Sequence, residues 1–296
     1  SNFESFVKSF VDSNGINTRY EVFGSGPPLL MFSSGGFDAT VEKWSTAGVW
    51  KTARLLETIT DSFTCIAHDR REAGESGGRI EPLTWTSYAE QGRTILDCLG
   101  IDQAFVIGGC MGTEVAMAFA AAYPQRTLGL ILHWPVGGIR YRAAGLDRFA
   151  VHYAFVKKHG LEAVVERARA GEKSQRFFFE PEVGPWVNSI ARDESFAQVY
   201  QSQDVERYLL MISRMGPSFF DRDTFPGTAP EVLMGIPAPA SIIPGHDAMH
   251  ATSAARYLEE CLPNAHYYDV ALEDQTGDLV RGIVRESLET WSNGKA

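Results

Sequence analysis

The feature that most constrains this chain is the stretch FVIGGCMGTEVAMAFA at residues 105–120. An apolar run is followed by glycines around Cys110 and then by small residues that predict a helix. The pattern G-x-C-x-G is the cysteine form of G-x-S-x-G, in which a nucleophile lies on a tight turn between a strand and a helix. Its neighbours must lack bulk, and the positive end of the following helix favours a thiolate. The stretch therefore predicts a nucleophile at Cys110, with a core cysteine at an ordinary junction as the alternative.

The composition indicates one large core and excludes several classes of partner. Hydrophobic residues make up 44% of the 296 residues and charged residues 22%, which is not the composition of a disordered chain. The 37 acidic and 27 basic residues give a net charge of −10, so we expect neither a nucleic-acid nor a membrane partner. No apolar stretch reaches the roughly 18 residues that a membrane span needs. The acidic start, SNFESFVKSF, lacks the basic region of a signal peptide.

Cysteine usage and the absence of cofactor motifs narrow the chemistry further. The four cysteines form no CxxC pair, which is typical of a protein in a reducing cytoplasm. The sequence contains no Rossmann fingerprint and no P-loop, and the segment HDAMH lacks the HExxH pattern of zinc enzymes. We therefore expect a cytoplasmic protein that acts on a small-molecule substrate with no cofactor and no metal. Whether it forms a homodimer is left open.

The first 136 residues alternate short apolar runs with helical patterns. Strands are predicted at Thr18–Phe23, Leu29–Phe32, Phe63–His68, Phe105–Gly108 and Leu128–His133. Helices are predicted at Gly48–Thr60, Trp85–Leu99 and Thr113–Tyr123. Unbroken apolar strands separated by helices are typical of a parallel sheet covered on both faces.

The pattern changes between residues 137 and 234, where helical segments follow one another without a buried strand run. Strand patterns resume at Ala238–Pro244 and His266–Val270, with helices predicted at Ala251–Cys261 and Asp278–Trp291. The chain is therefore predicted to have one α/β core domain, residues 1–136 and 235–296. A mostly helical cap, residues 137–234, is predicted to be inserted after the sixth strand.

Four segments resemble the α/β-hydrolase fold superfamily. Residues 14–32 are similar to its paired first strands and the strand before the oxyanion loop, and residues 68–78 resemble its Asp-x-Arg-Gly-x-Gly-x-Ser loop, with Glu72 where glycine is usual. Residues 105–112 are similar to its nucleophile elbow, and residues 242–250 to the strand and loop that present the catalytic acid. The resemblance implies an α/β-hydrolase fold, with a mostly parallel, doubly wound sheet and an inserted helical cap.

The resemblance also implies roles for individual residues. Cys110 would be the nucleophile, and the backbone N–H of Met111 would be one donor of the oxyanion hole. The second donor would be the N–H of Gly36, with that of Phe37 as the alternative. Asp247 would be the acid that orients a histidine.

The histidine of the family is expected just after the last strand, but residues 270–278 read VALEDQTGD. His250 is the first candidate to replace it, because it follows Asp247 by three residues on a loop expected to border the site. The alternatives are His246, His133, and a carboxylate base at Glu273 or Asp274. The cysteine itself can also compensate, because a thiolate attacks without a base beside it.

The predicted function is acyl chemistry on an apolar or aromatic small molecule, since aromatic residues are dense in the predicted cap. The substrate would be an ester, thioester, lactone or activated C–C bond, cleaved or transferred through Cys110. The predicted substrate contacts are His133, Phe37 and Trp134. Arg140 and Arg142 are predicted to be solvated, with contact to an anionic group as the alternative. The competing functions are a non-hydrolytic lyase, cyclase or C–C bond-forming enzyme of specialised metabolism, or a binding-only relic.

Overall fold

The computed structural model describes residues 6–171 and 175–294, and within them eight strands form one sheet. The strands are β1 (Phe6–Ser13), β2 (Ile16–Phe23), β3 (Pro28–Phe32), β4 (Thr64–His68), β5 (Ala104–Gly109), β6 (Thr127–His133), β7 (Ala240–Ile243) and β8 (Ala265–Tyr267). The five runs predicted in the first 136 residues lie within two residues of the bounds of β2 to β6.

The sheet has the order β1-β2-β4-β3-β5-β6-β7-β8. Strand β2 pairs antiparallel with β1 and β4, and every other neighbouring pair is parallel. The carboxyl ends of β3, β5, β6 and β7 therefore meet at one edge of the sheet, where ligands bind in open α/β sheets.

Helices cover both faces of the sheet. They are α1 (Lys43–Thr46), α2 (Trp50–Ala53), α3 (Leu55–Thr58), α4 (Trp85–Cys98), α5 (Gly112–Ala122), α6 (Ile139–Arg169), α7 (Val187–Arg192), α8 (Glu194–Gln201), α9 (Val205–Phe219), α10 (Pro230–Leu233), α11 (Thr252–Cys261) and α12 (Gly277–Ser292). Along β3 the side chains alternate, so that Leu30 and Phe32 join a core with α4 and α5, while Leu29 and Met31 join one with α2, α3 and α12. The predicted mostly parallel, doubly wound sheet is confirmed.

The first hairpin lies earlier in the chain than the resemblance implied. The paired first strands were expected within residues 14–32, but they are β1 and β2, which precede and follow the turn at Asn14 and Gly15. Both turn residues have a positive φ, 51° and 84°, as the tight hairpin turns favoured by Asn-Gly require. The Asn-Gly pair was the signal that the first strand lies before residue 14.

The helix predicted at Gly48–Thr60 is broken into α2 and α3. Arg54 separates them in the left-handed conformation, with φ 52° and ψ 49°. The Arg281 side chain from α12 donates to the Ala53 carbonyl over 3.1 Å, and this contact satisfies a group at the end of α2. The break therefore depends on a contact with α12, and the sequence around residue 54 gives no sign of that contact.

The last strand is shorter than predicted. β8 ends at Tyr267, whereas the prediction continued to Val270. The carbonyl of Val270 accepts from the side chains of His246 and Gln275 instead of a neighbouring strand. Side chains that arrive from elsewhere in the chain thus replace the ladder bonds.

Between β6 and β7 the chain forms α6 to α10, and α6 changes direction at Gly160, where φ is 81°. Phe149 of α6 and Phe219 of α9 pack with Phe177 around Phe37, which follows β3. These helices therefore lie over the loop after β3, while their assignment to a separate cap domain stays a prediction. Among the described residues, no helix combines the length and the apolar character that crossing a bilayer needs.

Candidate functional site

Cys110 lies on the turn between β5 and α5 in strained backbone geometry. Its φ is 53°, a left-handed conformation that costs a residue with a side chain about 1–2 kcal/mol. The Cys110 N–H donates to the His133 carbonyl over 3.0 Å, and the Cys110 carbonyl accepts from the N–H of Thr113. The end of β6 and the first turn of α5 therefore hold the thiol at the edge of the sheet.

The glycines of the turn are required by close approach. A Cβ at Gly108 would stand 2.2 Å from the Gly112 carbonyl oxygen, and a Cβ at Gly112 would stand 2.1 Å from that of Phe32. No relaxation of a flexible side chain relieves these contacts, because the opposing atoms are backbone. The G-x-C-x-G pattern is thus explained by the packing of α5 onto β3 and β5.

Asp247 and His250 share one loop, directly after β7. The Asp247 carboxylate accepts from the N–H groups of Met249 and His250, each over 2.9 Å, which closes the loop into a tight turn. The same carboxylate accepts from His250 Nδ1, at 2.8 Å from Oδ1 and 3.0 Å from Oδ2. Gly137 pairs with His250 in a backbone bridge, so the segment after β6 fixes the loop from its other side.

The other ring nitrogen of His250 faces the thiol. His250 Nε2 lies 3.0 Å from Cys110 Sγ, which is hydrogen-bonding distance. Burial by itself lowers the pKa of His250, but the hydrogen bond and charge of Cys110 and those of Asp247 outweigh burial and raise the pKa to about 9. Burial raises the pKa of Asp247, while the charge and hydrogen bonds of His250 bring it below its usual value. The three side chains form a continuous Cys-His-Asp chain.

A tryptophan held by a glutamine packs against His250. The Trp134 ring centroid lies 5.7 Å from that of His250, and Trp134 has a positive φ of 56°. Its indole N–H donates to Gln275 Oε1 over 2.8 Å, and the Gln275 amide donates to the Pro244 carbonyl over 2.7 Å. Gln275 lies in the turn where the family histidine was expected, so this position supports the ring of Trp134 instead.

A buried arginine shapes the loop after β3. Arg70 donates to the carbonyls of Ser33, over 2.7 Å, and Gly35, over 3.1 Å. The next residue, Gly36, lies against the ring of Phe178, and a Cβ at Gly36 would stand 2.6 Å from that ring. A side chain at position 36 would therefore require the Phe178 ring to move.

A cavity of about 450 Å³ opens beside the thiol. It brings together four of the predicted site residues, Cys110, Met111, Gly36 and His250, and the predicted substrate contact Trp134. Apolar side chains, among them those of Trp50, Val136, Phe178, Phe179 and Met249, form much of its wall. The remaining predicted acid, Asp247, lies behind His250 with nearly half of its side chain exposed.

Two predicted substrate contacts do not reach this cavity. His133 is completely buried, with its ring 5.0 Å from that of Trp50 and 5.3 Å from that of Trp134, and burial lowers its pKa to about 3. Phe37 is 5% exposed and packs against aromatic rings of the segment between β6 and β7. Both side chains pack behind residues that line the cavity: His133 behind Trp50 and Trp134, and Phe37 behind Phe178.

The alternative bases His246, Glu273 and Asp274 do not line the cavity. His246 Nε2 donates to the Val270 carbonyl over 2.9 Å, which leaves Nδ1 to accept from Thr252. Glu273 and Asp274 are exposed in a short 3₁₀ turn. Among the described residues, no group of three histidine, cysteine or acidic side chains is arranged to hold a metal ion.

Sequence reasoning missed the charged residues of the cavity wall. Arg140 is exposed and Arg142 pairs with Asp223, whereas Arg148, further along the same helix, lines the cavity. Tyr141 and Ala144 also line it, so the cavity face of α6 recurs at positions 141, 144 and 148. This helical spacing from Tyr141 was the available signal.

Comparison with known proteins identifies the architecture. Residues 28–170 match the family model described as alpha/beta hydrolase fold. The structure of MGS-M2, an alpha/beta hydrolase enzyme from a Medee basin deep-sea metagenome library, matches with a TM-score of 0.63 and 17% identity, covering 95% of this chain and 97% of that chain. A likeness at this identity shows the fold.

Curated relatives match over part of the chain. The dihydrolipoyllysine-residue acetyltransferase component of the acetoin cleaving system of Cupriavidus necator is 32% identical over 128 residues, 43% of this chain and 32% of that protein. The 2-hydroxymuconate semialdehyde hydrolase of Pseudomonas putida is 27% identical over 133 residues, 45% of each chain. This chain therefore spans less than half the length of these two relatives.

Proposed function

Since the chain has the α/β-hydrolase fold, we propose that it is an enzyme that cleaves or transfers an acyl group through Cys110. The observation that carries the proposal is the 3.0 Å contact between His250 Nε2 and Cys110 Sγ, with Asp247 on the other ring nitrogen. A nucleophile, a base and an orienting acid in this order are the groups that covalent acyl transfer requires. The names of the curated relatives, a hydrolase and an acetyltransferase component, agree with this class of reaction.

In the first step the Cys110 thiolate attacks the acyl carbonyl carbon, and the π electron pair moves onto the carbonyl oxygen. The backbone N–H groups of Met111 and Gly36 are the proposed donors to this oxygen, and such a donor is worth about 2.7–4 kcal/mol in a measured case. Arg70 positions the Gly36 side of the pair through the carbonyls of Ser33 and Gly35. The tetrahedral intermediate then collapses, and the bond to the leaving group breaks.

His250 moves the proton in both halves of the reaction. As an imidazolium it donates from Nε2 to the departing group, which leaves neutral and leaves an acyl-cysteine behind. The neutral ring then takes a proton from water, or from another acceptor, as that molecule attacks the acyl carbon. The C–S bond breaks as this second intermediate collapses, which releases the product and restores the Cys110 thiolate beside the imidazolium. Asp247 keeps Nδ1 protonated throughout, so Nε2 always faces the thiol. The cycle needs no cofactor.

The apolar wall of the cavity supports a small apolar or aromatic acyl compound as the substrate. Ester, thioester and lactone substrates all present the carbonyl that this arrangement attacks. The cavity volume of about 450 Å³ lies within the range of small-molecule sites and limits the substrate to a compact molecule.

The test is to trap the acyl-cysteine. The protein is mixed with 4-nitrophenyl esters, quenched in acid and digested, and the peptides are weighed by mass spectrometry. We expect the acyl mass on the Cys110 peptide, with turnover falling on the order of a thousandfold in Cys110→Ala and in His250→Ala. Cys98→Ala, which removes an exposed cysteine that does not line the cavity, is the matched control.

Two outcomes would contradict the proposal. Turnover that survives Cys110→Ala would mean that no covalent acyl-cysteine is formed, and would favour a non-hydrolytic reaction on the same scaffold. Ligand binding without turnover of any ester or thioester would favour a protein that only binds.

A further inference from the structure

The cavity beside Cys110 is basic, although the whole chain is acidic. Lys43, Arg148 and Arg176 all line it. Of the cavity-lining residues that the structure describes, none is an aspartate or a glutamate. The chain as a whole has a net charge of −10, so a cavity lined by three cations and no acid has the opposite charge to that of the whole protein.

The three cations are only partly neutralised. Lys43 donates to the Asp38 carboxylate over 3.2 Å, and Arg176 pairs with the same carboxylate. The Asp38 carboxylate is thus shared by two cations. Arg148 donates to two backbone carbonyls, those of Phe178 and Ala144, and no ion pair joins it to an acid within the described part of the chain. Three cations against one carboxylate leave an excess of two positive charges, and of the three only Arg148 has no carboxylate partner within the described residues.

We propose that this cavity recognises an acyl compound that also carries a carboxylate, which Arg148 binds together with Arg176 and Lys43. The acyl part of this statement rests on the proposed function of Cys110, whereas the anion site stands on the charges of the cavity alone. A guanidinium presents a planar fork of donors that matches the two oxygens of a carboxylate. A partly enclosed cavity strengthens such a contact relative to water.

The spacing of the site limits the length of the substrate. The ring of Phe178 contacts Gly36 of the proposed oxyanion loop, and the Arg148 guanidinium carbon lies 4.8 Å from the centre of the same ring. The anion site and the reacting carbonyl are therefore about one aromatic ring apart. A chain of a few carbons joins groups at that separation, so monoesters and thioesters of short dicarboxylic acids fit the site.

The first test compares two esters that differ in one charge, 4-nitrophenyl glutarate monoester and its methyl ester. We expect the wild type to prefer the anionic ester by about tenfold in kcat/KM, after subtraction of the spontaneous rate. Arg148→Gln should lose most of this preference. Arg140→Gln removes the same charge from an exposed position on the same helix and should keep it. A preference that is absent in the wild type, or that survives Arg148→Gln, would overturn the proposal.

A second measurement does not depend on acyl turnover. Iodoacetate and iodoacetamide alkylate the same thiol but differ in charge, and the exposed Cys98 is an internal reference. We expect the rate ratio of iodoacetate to iodoacetamide to be several-fold higher at Cys110 than at Cys98, and to fall in Arg148→Gln but not in Arg140→Gln. An equal ratio at the two cysteines would refute the anion site even if the esters are cleaved. A raised ratio without ester cleavage would support the site and refute the acyl chemistry.

The kind of anion is tested by protection. Glutarate should slow the alkylation of Cys110 at concentrations where inorganic phosphate does not. Protection by phosphate alone would contradict the assignment to a carboxylate.

Discussion

The raised pKa of His250 is a property that solution measurement can test directly. The structure gives a value of about 9 against an ordinary value of 6.5, because the hydrogen bond and charge of Cys110 and those of Asp247 outweigh the burial of the ring. A difference of this size corresponds to about 3 kcal/mol in favour of the protonated ring. Cys110→Ala removes both contributions of Cys110 and should lower the pKa of His250 towards its ordinary value. Asp247→Asn should lower it less, because nearly half of the Asp247 side chain is exposed and water screens its charge.

The assay is a pH titration of the histidine rings by heteronuclear NMR between pH 5 and 10.5, with the His250 signal assigned by its loss in His250→Gln. Cys98→Ala is the matched control and should leave the His250 midpoint unchanged, because Cys98 is exposed at the end of α4 and does not line the cavity. Cys110→Ser separates the two contributions, since a hydroxyl keeps the hydrogen bond and not the charge. A midpoint near 6.5 in the wild type, or one that does not respond to Cys110→Ala, would refute the ionic coupling of these residues.

The same shift makes the stability of the fold depend on pH. The folded pKa is above the unfolded one, so the contribution of His250 is fully present below about pH 6.5 and is lost as the pH rises through about 9. Urea unfolding at pH 6 and pH 10 should therefore show a smaller difference in free energy in His250→Gln than in the wild type. Equal differences in the two proteins would contradict the linkage.

Two further predictions concern positions around the site. Gly112→Ala places a Cβ 2.1 Å from the Phe32 carbonyl oxygen, and in urea unfolding it should lower the free energy of unfolding by about 3 kcal/mol or prevent folding. The control is Gly282→Ala, on the open side of α12, where a Cβ meets no atom within 4 Å. This variant should raise the free energy of unfolding by about 0.5–1 kcal/mol. Equal effects would show that the close approach is not rigid. Gln275→Ala leaves the Trp134 indole N–H without its partner and should lower the free energy of unfolding by about 1–3 kcal/mol. It should also slow the alkylation of Cys110, because Trp134 packs against the base His250. An unchanged alkylation rate would separate this pair from the site.

Much of the fold could be predicted because the strands of the sheet are locally apolar. The runs that became β3, β5 and β6 are buried on both faces, so their sequence is continuous and their bounds are clear. The helix at α2 and α3 could not be predicted in the same way. Its break at Arg54 is stabilised by Arg281, more than two hundred residues later, and no window of the sequence contains both partners.

The site divides along the same line. The turn around Cys110 is encoded within five residues, and His250 was the first candidate because it follows Asp247 closely. Arg148 and Gln275 were not found, because their positions depend on how the helices between β6 and β7 and the final turn pack against the sheet edge. A residue whose role comes from tertiary packing leaves no short pattern in the sequence.

The placement of Asp247 and His250 on one short loop has a mechanical consequence. The distance between acid and base is set by the turn itself, through the N–H groups that the Asp247 carboxylate accepts. Any displacement of the loop therefore carries the two side chains together and changes one separation only, that from His250 to Cys110. Motion of this loop would form or break the contact between His250 and the Cys110 thiol, while the hydrogen bond between Asp247 and His250 is kept.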